Sequence, residues 1–212
     1  QFTKDMIAAV QFFNQTAADL MVELGIDPLN SWPERHLVHP DIPEDLFGGT
    51  ADFTAIGEDV LLIMDLKYGK VPVAASSPQL TEYLLLALAH LTPEQRSKIT
   101  RFVQVIVQPR ISYGEPIDRH EPTTEVLKQT WEELWAATQM YIAHRHLPSS
   151  PPELLIVGDH CQRCPRMLHC PAITKEMSEA AQLSIVPIDT HAPGLIEKLI
   201  YWSDREDAIL AY

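Results

Sequence analysis

One segment constrains this chain more than any other: Val60-Leu61-Leu62-Ile63-Met64-Asp65-Leu66, an apolar run of strand length that carries a carboxylate two places before Lys67. Gly57-Glu58-Asp59 just before it is a turn signal, and residues 47–56 upstream read as a second strand, so the pair predicts a β-hairpin. Side chains alternate faces along a strand, which points Asp65 and Lys67 one way and Leu66 into the core. With Glu58-Asp59 as a two-residue turn, strict antiparallel pairing sets Asp52 directly opposite Asp65. Like charges so opposed, with Cβ atoms ~4.5–5.5 Å apart, need a cation or a shared proton between them. Oxygen ligands with no thiolate nearby suit Mg²⁺ or Mn²⁺. Lys67 beside such an ion is placed to orient or deprotonate a water and to stabilise charge on a transferring phosphorus. The plainer alternative is a solvated Asp-Asp-Lys cluster at an exposed hairpin end, since Asp-x-Lys is a short string.

Around the hairpin, apolar residues at Met6, Val10, Phe13, Ala17, Leu20 and Leu24 predict an amphipathic helix over residues 2–24, ending at Gly25. Residues 35–38 read as a short strand. After a loop at 68–78, residues 79–91 have the composition of a buried helix, and Thr92-Pro93-Glu94-Gln95 the cap and first turn of another. Residues 102–107 are β-branched and apolar, hence a strand, stopped by Pro109. Leu127, Trp131, Leu134, Trp135 and Ile142 form a helical stripe ending near His146, with both tryptophans expected in the core. Glu82 reads as a helix-surface charge, and His36, His39, His144 and His146 as structural. This alternation predicts an α/β or α+β fold, a mixed central sheet flanked by helices. Its 212 residues suit one main domain. We place it at 1–147, followed over 148–212 by a Pro/Ser linker at 148–152, a cysteine segment and a tail.

Twelve residues after Lys67 lies Gln79-Leu80-Thr81-Glu82-Tyr83, whose i, i+4 spacing puts Gln79 and Tyr83 on one helix face. Taken alone such a pair is more often packing than chemistry. Together, Gly49-Thr50-Ala51-Asp52, Asp65-Leu66-Lys67-Tyr68-Gly69 and Gln79-x-x-x-Tyr83 resemble the RecB-type branch of the PD-(D/E)xK nuclease superfamily, in particular its phage and prophage members. Gln108-Pro109-Arg110 and the Trp-bearing helix after it add to the likeness, which spans roughly residues 5–172. The resemblance implies a restriction-endonuclease-like core, with Asp52, Asp65 and the Leu66 carbonyl as metal ligands and Lys67 as the catalytic lysine. Gln79 and Tyr83 would contact DNA or brace the site. The implied activity is a Mg²⁺- or Mn²⁺-dependent DNA exonuclease acting in phage recombination or DNA end processing. A single-strand annealing or replication protein would be its partner, and a homo-oligomer is conceivable by analogy. A catalytically silent binding or assembly subunit and a zinc- or iron-binding regulator are the alternatives from other classes. Glu34 reads first as a salt-bridge residue, though it stands within reach of the hairpin.

The three cysteines, Cys161, Cys164 and Cys170, make C-x2-C-x5-C. An odd, clustered set argues against a disulfide framework and for metal in a reducing compartment, by default the cytoplasm. Three thiolates do not close a four-ligand site. The resemblance implies a [4Fe–4S] cluster whose fourth cysteine lies upstream of the core, and also an N-terminal histidine near the metal. Neither is matched here, and an N-terminal segment is therefore expected to be missing from this chain. Zinc with His160 or His169 as fourth ligand is the rival. The formal charge of −13 stands against a nucleic-acid partner, because Lys and Arg usually supply the affinity for phosphate. A small basic groove can coexist with an acidic exterior, and bound cations would neutralise several of the acids. No stretch has the ~18–20 apolar residues of a membrane span, and no secretory leader is visible.

Overall fold

The computed structural model describes residues 3–43, 46–146, 155–158, 161 and 164–184. The chain divides into two units, 1–140 and 141–212. The first is an α+β fold built on a mixed five-stranded sheet in the order β1-β2-β3-β4-β5. Its strands are β1 (Ser31–Val38), β2 (Gly48–Ile56), β3 (Val60–Leu66), β4 (Arg101–Val107) and β5 (Ile117–His120). All neighbours are antiparallel except β3 and β4. That parallel step is bridged by α2 (Pro78–Ala89) and α3 (Pro93–Lys98).

Helices cover both faces. On one, α1 (Lys4–Glu23) sets Phe13, Ala17 and Leu20 against Phe53, Ala55, Leu62, Met64, Val103 and Val105. On the other, Leu80, Leu84 and Ala87 of α2, with Leu127 of α4 (Thr124–His144), meet Leu61, Ile63, Phe102 and Ile106. Residues 60–64 are therefore fully buried, which is why β3 reads as an unbroken apolar run rather than an alternating one. Burying both faces of a strand fixes its register, since a slip of one residue would move Asp65 into the α1 layer.

Local signals place the ends. Thr3 caps α1 through its hydroxyl, which accepts from Met6 N–H at 3.2 Å. Thr92 and Gln95 make a reciprocal capping box on α3. Gly25 stops α1 in the left-handed region, at φ 64°. The expected strand 35–38 begins earlier, at Ser31, because Pro33 sits on the edge strand where no ladder donor is needed. Trp135 departs from expectation: it is 39% exposed, stacked on Trp131 rather than buried. Only Leu127 of α4 is fully buried, and Trp131 and Leu134 pack partly against the core, so the helical stripe is wider than the contact it makes. Among the described residues no helix is long and apolar enough to cross a membrane.

Candidate active site where the hairpin meets helix 2

The β2–β3 ladder has the expected register, from Phe53 opposite Met64 to Ile56 opposite Leu61. It stops one pair short of Asp52 and Asp65, so the expected direct facing of these residues in a regular ladder needs correction. Asp52 Oδ2 instead accepts the Leu66 N–H at 2.7 Å, taking the place of a β2 backbone acceptor. The cause lies in β1. Its pairing with β2 is regular from Ser31 with Ala55 to Val38 with Gly48, except at one position, where Glu34 stands opposite Asp52. Glu34 has a left-handed backbone, φ 47°, a conformation non-glycine residues rarely adopt. On either side of this point the strand's inward face changes: Phe53 and Ala55 belong to the α1 layer, whereas Leu37 and Ala51 belong to the α2 layer. The ribbon turns over at Asp52 and carries its carboxylate to the end of β3.

There the groups predicted from the sequence come together. Asp65 is 4% exposed, and its Oδ2 lies 2.9 Å from Lys67 Nζ. Beyond that ion pair, Oδ2 has no hydrogen-bond partner. Lys67 Nζ also donates to Gln79 Oε1 at 3.1 Å, and Gln79 Nε2 donates to Tyr83 Oη at 3.1 Å. The Tyr83 ring closes over Gly49, where an added Cβ would stand 2.8 Å from Cε1. The three sequence motifs are thus one contiguous cluster, tied by a lysine that bridges strand and helix. The Leu66 carbonyl leaves β3 on the side of its N–H, toward Asp52, as strand geometry requires.

Burial pushes the Asp52 carboxyl above its usual range. The Leu66 N–H opposes that shift, the Asp65 and Glu34 charges add to it, and Lys67 opposes it. Glu34 therefore belongs to the cluster, and no salt bridge forms with it among the described residues. Glu82 is half-buried rather than a free surface charge, and burial raises its carboxyl too. Two carboxylates and a carbonyl are a hard oxygen set that suits Mg²⁺ or Mn²⁺, and the under-partnered Asp65 Oδ2 fits such an ion. Among the described residues no group of three or more His, Cys, Asp or Glu side chains stands ready to hold a metal.

The connection between Lys67 and Gln79 is pinned from the neighbouring strands. Gln108, 2% exposed, accepts from Val73 N–H at 3.1 Å and donates from Nε2 to Gly69 O and Val71 O at 2.9 and 2.7 Å. Asp118 of β5 accepts from Ala75 N–H at 2.7 Å. Gln104, fully buried in β4, bonds Thr81 of α2 and, with its nitrogen turned to Ala75 O, satisfies that carbonyl as well. The anchoring roles of Gln104 and Asp118 were not read from the sequence, and Gln108 entered only through the family likeness, although a glutamine inside an otherwise apolar strand and another at its end were a visible signal.

In the second unit, Cys161, Cys164 and Cys170 are free thiols on a chain that winds in successive tight turns. Cys164 N–H bonds Cys161 O, Met167 N–H bonds Cys164 O, and Cys170 N–H bonds Met167 O. The Gly158 N–H points at Cys161 Sγ, 3.5 Å away. Helix α5 (Pro171–Ser184) follows directly. His169 is exposed, whereas His160 and the 148–152 linker lie outside the described residues.

A family model described as "Protein of unknown function (DUF2800)" matches residues 2–202. No curated protein matches. Among solved structures, a crystal structure of SSO0001 matches at 13% identity and a TM-score of 0.34, covering 80% of this chain and 72% of that one. A likeness that loose carries no argument about fold or chemistry.

Proposed function

The chain belongs to the DUF2800 family, and from its site we propose a metal-dependent nuclease that hydrolyses DNA phosphodiester bonds from an end. One observation carries the proposal. A buried carboxylate, Asp65, and a second of raised affinity for protons, Asp52, converge beside Lys67, whose ammonium is held by Gln79. Exposed ion clusters need no such scaffolding. Asp52, Asp65 and the Leu66 carbonyl would hold Mg²⁺ or Mn²⁺. When bound, such an ion polarises a phosphoryl oxygen and acidifies water.

The protein groups have separate tasks. Lys67 Nζ orients the attacking water and offsets charge developing on the phosphoryl oxygens. Gln79 Oε1 holds that nitrogen in place, and Tyr83 holds Gln79. Without the Lys67–Gln79 bond only the Asp65 ion pair restrains the ammonium on its four-carbon stem. We further propose that Cys161, Cys164 and Cys170 bind an iron–sulfur cluster, with a fourth ligand that is not a cysteine of this chain. The Gly158 N–H aimed at Cys161 Sγ supports a sulfur ligand at that position.

The test is incubation of the protein with linear and covalently closed DNA in Mn²⁺ or Mg²⁺. Nucleotide release from the linear form alone, abolished by EDTA and lowered about 10²–10³-fold in Asp65→Ala, is expected. Release that Asp65→Ala leaves unchanged would sink the reading. A silent binding subunit would instead show no divalent-dependent stabilisation linked to Asp52 and Asp65. Iron analysis and the visible spectrum of anaerobically purified protein separate an iron cluster from zinc.

A further inference from the structure

We propose that Arg110, held over the Tyr68 ring, grips a backbone phosphate of the nucleic-acid strand beside the linkage that is cut; the choice of substrate rests on the nuclease reading above. Strands β3 and β4 run parallel and end together, Leu66 beside Val107. The two segments leaving them are laced to each other at the same sheet end as Asp65 and Lys67. Lys67 N–H bonds Val107 O at 2.9 Å, the Gln108 amide bonds Gly69 O and Val71 O, and Ser112 N–H reaches Lys70 O at 3.5 Å. The carboxyl ends of parallel strands are where open α/β sheets take their ligands. Tyr68 follows Lys67 directly, and the Arg110 guanidinium carbon stands 4.4 Å over its ring centre.

Several of the other cations are already engaged. Lys98, Arg101 and Arg119 pair with Glu94, Glu121 and Glu23. Arg96 donates to the carbonyls of Leu88, Ala89 and Leu91. Lys67 is held by Asp65 and Gln79. Among the described residues the side chains of Lys70 and Arg110 have no carboxylate or hydrogen-bond partner; Arg35, 4.4 Å over the Trp32 ring, also lacks one, but Lys70 and Arg110 are the two that sit on the laced segments beside the site. In a chain of net charge −13, these two cations stand beside the site unpaired and open to an anion. A guanidinium stacked on an aromatic ring is fixed in its plane and partly stripped of water, while its N–H edges stay free for the oxygens of a phosphate.

Binding of a labelled linear DNA duplex, measured in EDTA across a range of salt concentrations, tests the proposal, alongside turnover in Mn²⁺. Arg110→Ala should weaken binding about tenfold, as expected for losing one charge-assisted contact. It should also reduce the slope of log Kd against log salt by about one, and raise KM with kcat nearly unchanged. Arg110→Lys should restore the slope but only part of the affinity, and it keeps the test alive if the alanine variant folds poorly. Tyr68→Leu should weaken binding while leaving the slope as it was. Wild-type Kd and slope in Arg110→Ala and Arg110→Glu, or a loss confined to kcat, overturn the assignment. The two readings separate cleanly. Salt-dependent binding lost in Arg110→Ala without any nucleotide release leaves the phosphate grip standing and removes the nuclease. Turnover with an unchanged KM in Arg110→Ala does the reverse, and a wild-type protein that binds no DNA removes both.

Discussion

Gln108 offers the sharpest test of how this fold holds its site. Its amide is buried, and all three of its hydrogen bonds go to the backbone of the segment joining Lys67 to Gln79. Cutting it to alanine removes three neutral bonds, each with a net contribution of about 1 kcal/mol, and an orphaned buried donor costs about 1–3 kcal/mol. Gly69 and Val71 are exposed, so their carbonyls regain water, whereas Val73 is half-buried and its N–H recovers less. The expected loss is therefore about 2–4 kcal/mol, or roughly 5–12 °C in thermal midpoint for a chain of this size. Gln108→Glu is more discriminating because it keeps the shape. It turns the nitrogen that faces Gly69 O and Val71 O into an oxygen, so the buried ionised acid confronts two carbonyls and its folded pKa must rise above the unfolded value. A raised acid binds more protons folded than unfolded, and stability then falls as pH rises through that window. Scanning calorimetry at pH 5 and pH 8 should show the gap between Gln108→Glu and wild type widening at the higher pH. A gap that does not change with pH, or none at pH 8, would refute the claim that this amide donates to both carbonyls.

Other substitutions probe the cluster itself. Gly49→Ala puts a methyl 2.8 Å from Tyr83 Cε1; it should cost about 1–3 kcal/mol in denaturant unfolding and lower turnover by freeing Gln79 and so Lys67. Asp52→Asn should raise the thermal midpoint at neutral pH, because burial and the neighbouring acids raise the Asp52 carboxyl and its ionised form is the costly one. The wild-type minus variant difference should shrink as pH falls toward the ordinary carboxylate range, and stabilisation by added Mn²⁺ should be lost in the variant. Glu34→Gly removes a left-handed non-glycine residue and should gain about 1 kcal/mol in stability while reducing turnover, as read by unfolding and DNA digestion on the same preparation.

Much of the architecture was legible because burial and periodicity speak the same language. Strand β3 announced itself by an apolar run flanked by a turn, and its register followed from the length of that turn, so Phe53 faces Met64 as the pattern required. The motifs at 49–52, 65–69 and 79–83 stood out in the sequence, and the fold brings all three to one sheet end. What stayed hidden was non-local. Strand β5 is four residues with no apolar face, so its signal was lost among loops, and the anchoring role of Asp118 went with it. The exposure of Trp135 could not be foreseen from helical spacing, which tells which residues share a face but not how far the neighbouring surface extends.

The one place where strand alternation failed outright is Glu34 opposite Asp52, and that failure bears on function. Three local rules are broken within a single row across β1, β2 and β3: a glutamate in the left-handed region, a pair missing from an otherwise regular ladder, and a buried carboxylate in an apolar strand. Each costs stability on its own. A sequence free to maximise stability would avoid a left-handed glutamate at 34 and place an apolar residue at 65. That the breaches share one row, next to Lys67 and its helix contacts, argues for a common purpose rather than three accidents. Turning the ribbon over is what moves the Asp52 carboxylate out of the ladder and onto the end of β3, so the strain at Glu34 and the gathering of acids beside Asp65 are one structural event.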